Sequence, residues 1–96
     1  MLKQQRIKMT GKTGNGKHVK IRIETVLGYW DKEFSISTKV KDVIYSAIRH
    51  FELTRSGHYA LKLKRKSEIV LIPSRSLSRY KIAEGDSLFL EVVGIV

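Results

Sequence analysis

The 96-residue chain has no cysteine, one proline (Pro73), and nine acidic side chains against nineteen basic ones. The absence of cysteine removes disulfide frameworks, thiol nucleophiles and cysteine-based zinc sites. No run of roughly 18 apolar residues occurs, so membrane insertion is not expected. The positively charged start, Met1 to Thr10, has no apolar stretch behind it, which speaks against a secretory signal and predicts a cytoplasmic protein. The three histidines, His18, His50 and His58, fall at a strand start, a helix end and a loop, so they do not form a metal-binding set and no cofactor is expected. Serine, histidine and aspartate occur without the strained turn that would expose a nucleophile, so no enzymatic activity is predicted.

What the chain has is positive charge, unevenly placed. Residues 1–17 carry Lys3, Arg6, Lys8, Lys12 and Lys17 with no acid, half of the net +10. With Gly11, Gly14 and Gly16 among polar residues and no hydrophobic period, this segment reads as a basic flexible leader. Within it, Gly11 to His18 approaches a phosphate-binding loop. His18 replaces the hydroxyl residue that would hold magnesium, however, and an alternating strand follows where a helix N-terminus is required, so nucleotide binding is not predicted.

From residue 18 to 96 the pattern is that of one small folded domain. Val19, Ile21 and Ile23 alternate with Lys20, Arg22 and Glu24, the signature of a half-buried strand. Val26 to Asp31 supplies a turn, and Lys32 to Ser37 returns as a second strand with Phe34 and Ile36 inward. Thr38, or Ser37, stands where a helix N-cap is expected. Val40, Val43, Ile44, Ala47, Ile48 and Phe51 then recur at helical spacing and predict an amphipathic helix of about three turns. In Tyr59 to Lys64 the leucines alternate with lysines. Arg65 to Glu68 reads as a polar turn, and Ile69 to Ile72 as an edge strand stopped by Pro73. Ser87 to Val93 closes the chain with Leu88, Leu90 and Val92 inward. One helix can cover one face of one sheet, so the order ββαβ(β)β specifies an α+β domain of four to five strands.

Leu77, Tyr80, Ile82, Gly85, Asp86, Leu88 and Leu90, at their spacings and behind this order of elements, resemble the β-grasp fold of ubiquitin-like proteins. The resemblance covers residues 18–93. Length and the Val-Lys-Asp-Val-Ile helix start are similar to the small ubiquitin-like proteins of bacteria. The family implies a mixed sheet of order 2-1-5-3-4 with first and last strands parallel and central. That places Lys20, Arg22, Lys62, Lys64, Phe89 and Glu91 together on the face away from the helix. Lys62 and Glu91 then stand where the family's apolar patch has aliphatic residues, leaving a basic surface around Phe89.

Three functions are compatible with the resemblance. The first is a non-catalytic adaptor that binds a protein through Lys20, Arg22, Lys62, Lys64 and Phe89. In it, Tyr29 and Trp30 of the first hairpin serve either as a second contact or as cover for the end of the core. The second is a modifier or sulfur carrier, which would need removal of Ile95-Val96 to expose Gly94. The third is nucleic-acid binding by the leader and the basic sheet face, with Phe89 as a stacking platform.

Overall fold

A computed structural model describes residues 17–95; the leader and the Gly11–Gly16 part of the phosphate-loop-like run lie outside the described residues. Five strands and one helix form the domain: β1 (His18–Thr25), β2 (Gly28–Ser35), α1 (Val40–His50), β3 (Gly57–Leu63), β4 (Lys66–Val70) and β5 (Ser87–Ile95), with a 3₁₀ turn at Leu77–Tyr80 before β5. The sheet order is β2-β1-β5-β3-β4. β1 and β5 are parallel, and all other neighbours are antiparallel. This is the α+β arrangement, and the strand order, that the resemblance implies.

The alternation in β1 sends Val19, Ile21 and Ile23 to the helix side, where Leu61 and Leu63 of β3 and Leu88 and Leu90 of β5 join them. Val40, Val43 and Ala47 supply the helix stripe, and Leu71, Leu77 and Ile82 from the β4–β5 connection close the core. Ile44 and Phe51 are half-buried at its margin. Among the described residues no polar or charged side chain is buried, so apolar burial, worth about 25 cal/mol per Å², is the dominant cohesive term.

Several local features differ from the sequence-based expectation. The first turn is Val26-Leu27, so Gly28 to Asp31 belong to β2. Leu27 N–H donates to Thr25 Oγ1, Thr25 Oγ1 donates to the Gly28 carbonyl, and Gly28 takes φ +139°. Neither Thr38 nor Ser37 caps the helix. The N-cap is Lys39, with no side-chain cap bond, and the first helical N–H groups donate to carbonyls of the β4–β5 connection: Val40 to Arg75 (2.8 Å) and Lys41 to Pro73 (2.9 Å). A tertiary contact thus does the work expected of a hydroxyl. The turn between β3 and β4 is Lys64-Arg65, and β4 starts at Lys66. Val92, expected inward, is half-exposed at the end of β5.

At its C-terminal end α1 closes with Glu52 at φ 55°, while Leu53 N–H reaches back to the Ile48 carbonyl. This six-to-one bond is a left-handed C-terminal cap, normally a glycine position. Replacing Glu52→Gly should raise stability by about 0.5–1 kcal/mol, because the left-handed penalty exceeds the entropy that glycine adds. Leu77→Ala, which empties a fully buried site on the crossover, should lower it by about 2–5 kcal/mol. Urea denaturation of the two variants beside the parent chain measures both.

Candidate interaction surface

The strand registers decide what the sheet shows on the face away from α1. Arg22 stands opposite Asp31, Lys20 opposite Glu33, and Glu24 opposite Tyr29 across β1 and β2. Phe89 of β5 lies between Glu24 of β1 and Lys62 of β3. Lys20, Arg22, Lys62, Lys64 and Phe89 therefore do share one face, as expected.

That face is not basic. Arg22 forms a two-pronged pair with Asp31 (2.8 and 3.0 Å), Lys62 meets Glu91 at 2.8 Å, and Lys64 meets Glu24 at 3.0 Å. Lys20 faces Glu33 in register, and its charge also bears on Asp31. Three of the four cations are thus ion-paired, and the fourth, Lys20, stands opposite Glu33 in register. Each exposed pair adds little to stability. Together they cancel the field that the lysine-rich strands suggested, and like or unlike charges brought by a partner must fit a fixed pattern.

Tyr29 and Trp30 divide the two roles foreseen for them. Trp30 is opposite Ile23 on the helix side, half-buried, and its ring stacks on His50 at 4.0 Å between centroids with Phe51 edge-on. Tyr29 points to the outer face, 60% exposed, with the Arg22 guanidinium 3.8 Å from its ring centroid. Such stacking fixes the same arginine that pairs with Asp31.

Exposed apolar groups that the sequence did not single out gather at the hairpin end of the sheet. Val26 is 89% and Leu27 66% exposed. With Leu53, Tyr59, Phe89, Leu90 and Val92 they line a cavity of about 410 Å³. Val26 and Leu27 read as strand or turn residues in sequence; only their position at the tip, beyond the end of the helix stripe, leaves them uncovered. Gly94 lies inside β5, paired with His58 of β3, and Ile95 pairs with Gly57. The residue that a modifier would present on a free arm is here part of the ladder.

A second structured element adjoins this face. The loop before β5 carries Asp86, whose carboxylate accepts from Arg65 at 3.1 Å through both oxygens and from Ala83 N–H at 2.8 Å; Arg65 also donates to the Lys81 carbonyl. Burial of Asp86 pushes its pKa up, but the Arg65 hydrogen bonds, the Ala83 N–H and the Arg65 charge together outweigh it and leave the carboxyl below its ordinary value. Asp31 is also lowered, chiefly by its hydrogen bonds from Arg22. Among the described residues no group of three His, Asp or Glu converges as a metal site.

Because both carboxyls titrate lower in the folded chain than in the unfolded one, their contribution is present above the ordinary aspartate range near pH 3.8 and is lost as pH falls through the folded values. Asp86→Asn should lower stability at neutral pH and flatten the fall of stability below about pH 4. Urea unfolding across an acid pH series, on the variant and the parent, checks both effects.

No protein-family model matches the chain. No curated protein matches its sequence. Solved structures do match in shape. An ubiquitin of Caldiarchaeum subterraneum superposes with TM-score 0.69 at 21% identity over 82% of this chain and 98% of that one. A de novo design based on ubiquitin gives TM-score 0.69 at 17% identity, covering 83% and 93%. A structure described as molecular mimicry of SUMO that promotes DNA repair gives 0.67 at 12% identity, covering 78% and 91%. Taken with the strand order and the single packed helix, these similarities show that the chain has the ubiquitin-like β-grasp fold.

Proposed function

We propose that the chain is a non-catalytic ubiquitin-like interaction module that binds a protein partner at the hairpin end of the sheet. The observation that carries this reading is the exposed apolar group of Val26, Leu27 and Val92 at a cavity whose lining also includes Leu53, Tyr59, Phe89 and Leu90. Exposed apolar clusters rimmed by polar groups mark binding surfaces more often than scattered single residues do. A partner apolar side chain would enter the cavity as the anchor. On the adjoining outer face, Arg22, Lys62 and Lys64, each held by a carboxylate, with Lys20 two residues before Arg22, would form the charged rim that sets orientation and excludes wrong partners. Tyr29, rigid on Arg22, extends the rim toward β2.

Two features favour an adaptor over the other activities. The titratable groups that the fold shifts are the members of two ion pairs, Arg22–Asp31 and Arg65–Asp86, rather than an acid and base poised over a shared reaction centre. Gly94 would have to leave its pairing with His58 before an activating enzyme could use its carboxylate.

The test is capture of partners from extracts of the native host on immobilised full-length chain, followed by affinity measurement for each. Val26→Asp with Leu27→Asp should abolish binding, and Phe89→Ala should weaken it at least tenfold, a change of about 1.4 kcal/mol. Lys62→Ala or Lys64→Ala should cost only a few-fold, as rim residues do. Undiminished binding by the double aspartate variant would overturn the assignment of this surface.

A further inference from the structure

The excess positive charge missing from the sheet face is concentrated at the opposite end of β1. We propose that this pole is a binding surface for the phosphate backbone of a nucleic acid. Backbone bonds draw its residues together: Ile36 N–H donates to the Lys17 carbonyl (3.0 Å), Ser78 N–H to Ile36 (2.9 Å) and Leu77 N–H to Thr38 (2.9 Å). Lys39 bridges to Ser76, and the bonds from Val40 to Arg75 and from Lys41 to Pro73 hold the start of α1 against the same connection. Lys17 and Lys81 line one hollow beside Ser78. Lys17, Lys39, Lys41, Arg75, Arg79 and Lys81 are all exposed.

Their state differs from that of the sheet cations. Arg22, Lys62, Lys64 and Arg65 each hold a carboxylate, whereas among the described residues none of these six forms an ion pair. The acids nearby are Asp42, in the first turn of α1, and Glu84, whose carboxylate accepts from Lys20 N–H at 2.8 Å. The first N–H groups of α1 are already bonded to backbone carbonyls, so attraction comes from side-chain charge and not from an open helix end.

Three observations favour nucleic acid over an acidic protein. Ser74, Ser76 and Ser78 alternate with Arg75 and precede Arg79, and mixed guanidinium and hydroxyl groups are the usual phosphate contacts. The apolar anchors a protein interface needs lie at the hairpin, roughly 25 Å away along an eight-residue strand. Finally, residues 1–16, which precede Lys17 in sequence, carry Lys3, Arg6, Lys8 and Lys12 and no acid. Tyr80, beside the pole, is half-buried and its hydroxyl accepts from Ile72 N–H, while Tyr45, 62% exposed, stands one turn beyond Lys41 on α1. Contacts to phosphate carry no sequence information, so duplex and single strand should bind without strong sequence preference.

Fluorescence anisotropy of the full-length chain with a labelled DNA duplex and its separate strands, over a series of KCl concentrations, tests this. Binding should appear at low salt, with log K falling against log [KCl] at a slope of about −5 for duplex if the six folded-domain cations each meet a phosphate. Arg75→Glu, Arg79→Glu and Lys81→Glu together should weaken it about a hundredfold and reduce the slope by about 3, while Lys62→Ala with Lys64→Ala leaves it within about twofold. Far-ultraviolet circular dichroism checks that the fold survives. The matching glutamine triple, which only neutralises the same exposed positions, should move binding and slope in the same direction by less. Absence of binding at low salt, or unchanged binding in both triples, overturns the proposal. So does tighter binding to polyglutamate or to phosphatidylserine vesicles than to DNA at equal salt, which would assign the pole to an acidic protein or a membrane surface.

Discussion

Two strands from opposite ends of the chain meet in the middle of the sheet, and the parallel register between them spans only Arg22–Ser87 to Glu24–Phe89. The first half of β1 would therefore leave backbone groups unmatched beside a buried core, at a cost of about 1–3 kcal/mol for each group left unbonded. The loop before β5 prevents this. Gly85 N–H donates to the Lys20 carbonyl, Lys20 N–H to the Glu84 carboxylate, and Arg22 N–H to the Asp86 carbonyl. To make those bonds the loop must reverse at Gly85, φ 87°, and be held in shape by the Asp86 carboxylate on Ala83 N–H and Arg65. Arg65 belongs to the β3–β4 turn, so one aspartate ties the middle of the sheet to its far side. The position of β5, and with it Phe89 and the outer face, follows from that closure.

Once the registers are set, the charges sort themselves into three zones. On the outer face Arg22, Lys62 and Lys64 each find a carboxylate and Lys20 stands opposite Glu33, so the field is largely cancelled locally. At the hairpin tip the chain has run past the helix, leaving Val26, Leu27 and Val92 without cover. At the other end, α1 starts against the β4–β5 connection, and the two segments bring more cations than acids. A domain this small can thus offer an apolar, selective end and a basic, unselective one, joined by a neutral sheet.

The elements with strong local periodicity were legible in sequence: the alternation of Val19, Ile21 and Ile23, the stripe from Val40 to Ile48, and Leu61 with Leu63. The Gly85-Asp86 reversal was legible as well, since a glycine at positive φ was required there. What escaped depended on contacts between distant segments. Val26-Leu27 carries none of the Asn-Gly or Asp-Gly chemistry of two-residue turns, so the hairpin was displaced toward Gly28. The carbonyls of Pro73 and Arg75 cap α1, and nothing near Thr38 announces them. The charge lattice was hidden for the same reason: Lys62 with Glu91 and Lys64 with Glu24 become partners only through strand register. A count of lysines on outward positions gave the right residues and the wrong field.

Amide hydrogen exchange followed residue by residue tests most directly whether the loop completes the central strand. The amides of Arg22 and Gly85 should exchange as slowly as those of Leu88 and Leu90, opening only with global unfolding, and Lys20 should be protected well above the free edge of β2. If Arg22 and Gly85 instead exchange as fast as that free edge, the closure of β1 by residues 84–86 is not what holds the sheet together.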